Sequence, residues 1–162
     1  MRRYFTSDTH IGHKLAAHKR GFDSLDAHDE AVLGSMLDLP HRSKLWVLGD
    51  IAFGPKASAE VALRLRGNTT FLLGNHDKQG AKPYTDIGLE VIGPLKYKGL
   101  WLSHHPIHPQ ELYRVSGNIH GHIHKDAATP PLPYPYFNVN WDFHGWPVDF
   151  EEIVAFFEVN RS

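Results

Sequence analysis

Five short apolar segments of this chain each run straight into a turn built from Gly, Asp, Asn or His. Residues 3–7 lead to Asp8 and His10, and residues 44–48 lead to Gly49-Asp50. Residues 69–73 lead to Gly74-Asn75-His76-Asp77, residues 100–103 to His104-His105, and residues 117–120 to Gly121-His122-Ile123-His124. Runs of that length and apolarity read as buried strands. In α/β folds, ligands gather at the carboxyl ends of strands, so five such ends can converge on one place. That recurrence restricts the fold more than any other feature of the chain.

The segments between them fill in the architecture. Residues 26–37 read as a helix, with Ala27, Ala31, Leu33 and Leu37 near a 3.6 period, Asp26 and Asp29 in the cap and first turn, and Pro40 beyond its end. Residues 58–66 read as a second helix closed by Gly67, and residues 9–24 as a loop rich in His, Lys and Arg. Further short strands are expected at 90–92, 95–97 and 136–140, the last preceded by a Pro-rich loop at 129–135. Pro147, Asp149 and Glu152 open a final helix at capping-box spacing, with Ile153, Val154, Phe156 and Phe157 as its apolar face. Early alternation of strand and helix indicates α/β. The later run of strands indicates a mixed sheet or a two-sheet sandwich flanked by helices, which some schemes class as α+β. The 162 residues suit a single domain spanning 1–162.

Composition narrows the chemistry. Cysteine is absent, which removes disulfides, zinc ribbons and thiol nucleophiles and suits a reducing, cytoplasmic setting. Any metal must therefore be held by nitrogen and oxygen. Seventeen basic and eighteen acidic residues give a net charge of −1, so no overall basic excess marks a nucleic-acid partner. No long apolar stretch follows Arg2-Arg3, so neither a signal peptide nor a membrane partner is expected.

Asp8 and His10 are two apart at a strand end, so both side chains point to one side and can share an ion. His122 and His124 have the same spacing after Gly121. Asn75 offers a neutral carbonyl, and His76 can carry a proton near neutral pH. Taken singly, each motif also has a plain structural use, as a turn, a cap or a surface polar loop. The ordered set carries the chemistry.

That set, Asp-x-His, Gly-Asp, Gly-Asn-His-Asp, a His after a strand, then Gly-His-x-His, resembles the calcineurin-like metallophosphoesterase superfamily across positions 8 to 124. The resemblance implies that family's two-sheet fold and two divalent cations. Asp8, His10, Asp50 and His124 would hold one, and Asp50 (bridging), Asn75, His104 and His122 the other. His76 would be the catalytic histidine that protonates the leaving oxygen. A hydroxide shared by the two ions would attack phosphorus directly, with no covalent enzyme intermediate. His104 is preferred to His105 because it falls first after its strand. Hard oxygen and imidazole donors suit Mn²⁺ first, with Fe, Zn²⁺ or Ni²⁺ also fitting.

The chain departs from the superfamily's protein phosphatases after Asp50. The acid and arginine that follow there are replaced by Ile51-Ala52-Phe53-Gly54, which argues against a phosphoprotein substrate and leaves His76 without its usual partner. The run Asp8-Thr9-His10-Ile11-Gly12-His13, with Arg20-Gly21-Phe22, looks like a small bacterial and phage subgroup, so His13 and Arg20 are candidate substrate contacts. The expected substrate is a small phosphodiester such as a 2',3'-cyclic nucleotide. A nuclease or a phosphomonoesterase acting on nucleic-acid ends is the alternative, and a non-catalytic scaffold of the same fold is the other. His18, His28, His41, His108 and His144 read as surface or packing residues.

Overall fold

Along each early strand, successive side chains fall into two different cores. A computed structural model describes residues 1–65, 67–125 and 132–160. Strands β1 (Arg3–Thr6), β2 (Lys44–Leu48), β3 (Thr69–Leu72) and β4 (Glu90–Ile92) pair in parallel, and β9 (Val148–Asp149) adds antiparallel to β1, giving the order β4-β3-β2-β1-β9. Tyr4, Leu45, Val47 and Phe71 point to one side, into a cluster with Val32, Leu33, Met36 and Val61 from the helices. Phe5, Leu48 and Leu72 point to the other. Both faces of this sheet are covered, which is why its strands read as continuous apolar runs.

The second sheet supplies the cover on the far side. Its strands are β5 (Leu95–Tyr97), β6 (Leu100–Leu102), β7 (Gly117–His120) and β8 (Tyr136–Asn138), in that spatial order, with only β5–β6 antiparallel. Leu100, Leu102 and Ile119 meet Phe5, Leu48 and Leu72 in the inter-sheet core, joined by Phe150, Ile153 and Phe157 of the last helix, α6 (Phe150–Val159). The α/β class with two mixed sheets and flanking helices is therefore as the sequence indicates. No helix among the described residues is long and apolar enough to cross a membrane.

The sheets are stitched together at the ends of β1 and β8. Ser7 N–H donates to the Val139 carbonyl at 3.1 Å, and Trp141 N–H donates to the Ser7 carbonyl at 3.0 Å. This seam lies one residue from Asp8.

Several elements differ from expectation. The loop expected at 9–24 contains helix α1 (Lys14–Lys19), whose six residues are too few to show a period. Helix α2 (Leu25–Leu37) is capped by Ser24, whose hydroxyl accepts from Ala27 N–H, rather than by Asp26. Its buried face is His28, Val32, Leu33 and Met36, while Ala27, Ala31 and Leu37 face solvent. Helix α3 (Gly54–Arg64) starts a turn before Ser58, because Gly54-Pro55 opens it. Short helices α4 (Lys82–Thr85) and α5 (Trp141–His144) have no counterpart in the sequence reading. Arg66 and the Thr129, Pro130 and Pro131 part of the Pro-rich loop lie outside the described residues.

The corrected α2 face predicts unequal costs for two similar truncations. Leu33→Ala should lower stability by ~2–5 kcal/mol, since Leu33 is fully buried, whereas Leu37→Ala should cost less than about 1 kcal/mol. Urea denaturation of the two variants measures this, and equal losses would contradict the assigned face.

Candidate metal centre

The pairing of β1 with β2 continues past the strand ends. Asp8, His10 and Ile11 N–H groups donate to the carbonyls of Gly49, Asp50 and Ile51 at 2.9, 3.0 and 3.0 Å. The two polar loops therefore run side by side and carry Asp8, His10 and Asp50 to one spot. The loop after β3 is fastened to them by Asp77. Its Oδ1 accepts from Ile51 N–H at 2.8 Å and its Oδ2 from Gly74 N–H at 2.7 Å. Asp77 is thus a loop anchor, buried away from the site's mouth.

Four of the expected ligands, Asp8, His10, Asp50 and His122, have φ between 50° and 69°. That left-handed conformation is uncommon for residues with side chains, and each instance costs on the order of 1–3 kcal/mol. It turns each side chain inward where a continuing strand would alternate. Close approach adds a further constraint. A Cβ on Gly74 would collide with the Asp50 carboxylate, and one on Gly121 with the Asp8 carboxylate and Ser7.

Seven side chains gather into two overlapping groups, with Asp8 also within ligand range of Asp50 and His104, and His105 within range of His104 and His122. In the first, His10 Nε2 lies 3.3 Å from His124 Nε2 and 3.9 Å from Asp8 Oδ1, and His124 Nε2 lies 3.5 Å from Asp8 Oδ1. In the second, Asn75 Oδ1 lies 3.0 Å from His104 Nε2 and 3.1 Å from His122 Nδ1. Asp50 stands between them: Oδ2 is 3.9 Å from His10 Nε2, and Oδ1 is 3.4 Å from His104 Nε2. Donors each ~2.0–2.2 Å from one ion lie about 3.0–3.5 Å apart, so several of these separations already match ligand edges. The orphaned atom fits too. Asp8 is fully buried, its Oδ2 accepts from His122 N–H at 2.9 Å, and its Oδ1 has no hydrogen-bond partner. A cation is what such an oxygen lacks, so the residues present suit divalent ions.

Electrostatics point the same way. Burial pushes the Asp8 carboxyl up to about 6. Burial holds His10 well below the ordinary histidine value and takes His122 down to about 4, so both present neutral nitrogens. For Asp50, burial opposes ionisation, but the His104 hydrogen bond and charge outweigh it and hold the carboxyl low. Burial likewise opposes the charge on His104, yet its bond to Asp50 and the charges of Asp8 and Asp50 raise it. The Asp142 hydrogen bond raises His124.

The tautomers are set from behind. His104 Nδ1 donates to the Leu48 carbonyl at 2.9 Å, leaving Nε2 for the site. His104, rather than His105, is the buried member of that pair. His105 is exposed, its ring 4.1 Å from that of His122. His76 is exposed at the mouth, its ring 5.4 Å from Phe53 and edge-on to His10 at 6.0 Å, while its backbone N–H donates to Asp50 Oδ1 at 2.9 Å. His13 also stacks on Phe53, at 3.9 Å. His28 is wholly buried, while His18, His41, His108 and His144 are exposed.

Arg20, a candidate substrate contact, lines the open cavity beside the ligand groups, and its guanidinium is also held by protein partners. Its Nε donates to Asp142 Oδ1 at 2.7 Å and its NH1 donates to the Thr9 carbonyl at 3.0 Å. NH1 also contacts His28 Nε2 at 2.8 Å, and NH2 donates to the Asp8 carbonyl at 2.6 Å and pairs with Asp142. Four hydrogen-bonding contacts and the ion pair to Asp142 thus hold the guanidinium. Asp142 itself escaped the sequence reading. Its Oδ2 accepts from His124 Nδ1 at 2.6 Å across a sequence separation of 18. The only local signal was Asn140-Trp141-Asp142, where Asn140 caps α5 through the Asp142 N–H.

No family model matches the chain. The gene 66 protein of Mycobacterium phage L5 is 29% identical over 150 residues, covering 87% of this chain and 68% of the phage protein. Among solved structures, the Aquifex aeolicus protein AQ665, of unknown function, matches with a TM-score of 0.69 and 22% identity over 96% of this chain and 98% of its own. It shares the fold. The Pseudomonas putida nuclease MPE matches at a TM-score of 0.49 and 23% identity, over 75% of this chain and 60% of the nuclease.

Two predictions follow from the geometry. Asp50 faces both groups, so Asp50→Asn should lose more bound metal than His76→Ala, measured by metal analysis after dialysis; equal contents would contradict the bridging position. Second, metal must displace the protons that Asp8, His104 and His124 retain. Affinity should therefore fall as pH drops from 7 to 5, through the Asp8 value near 6. Calorimetric titration with Mn²⁺ in buffers of different ionisation heat should show proton release, and identical heats would oppose it.

Proposed function

We propose that this protein is a phosphodiesterase that works with two divalent cations, Mn²⁺ first among them, on small nucleotide-like substrates such as 2',3'-cyclic nucleotides. The observation that carries this reading is the placement of Asp50 between the two ligand groups, one carboxylate oxygen toward each. Asp8, His10, Asp50 and His124 would hold one ion; Asp50, Asn75, His104 and His122 would hold the other. Bound there, the ions would supply Lewis-acid charge that polarises the phosphoryl group and stabilises the negative charge it gains in the transition state.

The chain's own residues supply the rest. His76 sits at the mouth with its ring steadied by Phe53 and donates a proton to the leaving oxygen. Asp77 fixes the loop that carries it, and no carboxylate among the described residues bonds the His76 ring. Beside these groups opens a cavity of 520 Å³ lined by His10, His13, Arg20, His76, His124 and Trp141 among others. That volume is in the range of small-molecule sites and supports a mononucleotide-sized ester over a polymer. Its apolar wall suits a flat ring, and Lys125 on its rim suits a phosphate. His13, stacked on Phe53 at the wall, is the substrate contact within this reading. A cytoplasmic location belongs to the same proposal.

The test is turnover of bis-p-nitrophenyl phosphate, p-nitrophenyl phosphate and a 2',3'-cyclic nucleotide with added Mn²⁺ or Ni²⁺. Diesters should turn over faster than the monoester. His76→Ala should lower kcat on the cyclic nucleotide by roughly 10²–10⁴-fold with metal content retained. The loss should be smaller on the nitrophenyl diester, because nitrophenolate leaves without a proton. Turnover of the monoester alone would overturn the diesterase reading. Preference for single-stranded DNA, weakening steeply with salt, would replace the small substrate by a polymer. No turnover of any substrate would overturn the enzyme reading.

A further inference from the structure

We propose that Arg20 and Asp142 form a positioning relay for one of the two cation sites, the one built from Asp8, His10, Asp50 and His124; the inference rests on the two-cation reading above. A continuous chain of short polar contacts links the two residues to that site. Asp142 Oδ2 accepts from His124 Nδ1 at 2.6 Å, so the ring's Nε2 carries its lone pair toward His10 and Asp8. Behind Asp142, the Arg20 Nε donates to its other oxygen at 2.7 Å. The same guanidinium reaches around to the carbonyls of Asp8 and Thr9, at 2.6 and 3.0 Å, and so grips the left-handed turn that aims Asp8 and His10.

One planar cation therefore joins both ends of a single ligand group. Asp8 and His10 come from the end of β1 and His124 from the loop after β7, so nothing in local sequence sets their separation. The His122 N–H on Asp8 Oδ2 ties the two loops directly, and Arg20 and Asp142 brace them from behind: their side chains are well buried, at 7% and 14% exposure, and Arg20 also packs over the Trp141 ring at 5.0 Å. The second group has a different support, the Leu48 carbonyl behind His104 and the shared Asn75 oxygen. Loss of the relay should accordingly weaken one site and spare the other. A residue that merely stabilises the fold would not discriminate between them.

The experiment is a Mn²⁺ titration, followed by the free-ion electron paramagnetic resonance signal, of the wild type, Asp142→Ala, Asp142→Asn and Arg20→Lys. Asn75→Ala serves as a marker for the other site, and circular dichroism checks the fold of each metal-free variant. The wild type should show two sites. Asp142→Ala should weaken one by roughly 10–100-fold and leave the other within about twofold. Asp142→Asn, which keeps an acceptor for His124 but loses the charge that Arg20 pairs with, should lose less. Arg20→Lys should weaken the same site as Asp142→Ala, since one ammonium cannot reach Asp142 and both carbonyls together. Asn75→Ala should weaken the complementary site. Unchanged Mn²⁺ binding in the Asp142 and Arg20 variants, or equal weakening of both sites, would overturn the relay while leaving the two-cation reading in place. A wild type that binds no Mn²⁺ would overturn that reading and the relay with it.

Discussion

The Asp8 carboxylate is the interaction on which the rest of this structure turns. It is fully removed from solvent at the seam between the two sheets, with one oxygen held by His122 N–H and the other facing two imidazoles without a hydrogen bond. An ionised carboxylate in that setting is costly, and metal-free protein answers by retaining the proton up to about pH 6. Around it the backbone accepts further cost. Asp8, His10, Asp50 and His122 all adopt the left-handed conformation, and Gly74 and Gly121 leave room for the Asp50 and Asp8 side chains. Four strained residues in one cluster are hard to rationalise as packing. They are the means by which strand ends, which would alternate their side chains, all turn them inward.

Much of this was legible before any coordinates. Strands β1, β2, β3, β6 and β7 announce themselves by apolar runs closed with Gly or polar residues, and the five ends meet as their order implies. The spacing of Asp8 with His10, and of His122 with His124, put each pair on one side of the chain; φ values show that the mechanism is the turn itself rather than simple strand alternation. The division of labour along the strands is not read from the sequence: alternate residues such as Tyr4 and Phe5 serve different cores, which a continuous apolar run does not separate.

What stayed hidden depends on long-range partners. Helix α1 is one and a half turns long and takes its place from packing, so no period marks it. The buried side of α2 includes His28, a polar residue made compatible with burial by Arg20 and Asp29. A pattern of apolar positions alone selects the wrong stripe there. Arg20 is a candidate substrate contact through the subgroup resemblance, and nothing local signals its bond to Asp142, 122 positions away. Asp77 sits beside His76 in the chain and turns away from it to brace the loops of Asp50 and Gly74. Adjacency in sequence said little about direction.

The seam at Ser7, Val139 and Trp141 has one more consequence. The ligand groups each draw from both sheets: Asp8 and His10 with His124, Asp50 and Asn75 with His104 and His122. A bound ion in either group is therefore also a rivet between layers. Opening the seam would dismantle both groups at once, so the layers could not breathe independently with metal bound there. With metal bound, ligand binding and the mechanical cohesion of the two halves would rest on the same set of bonds.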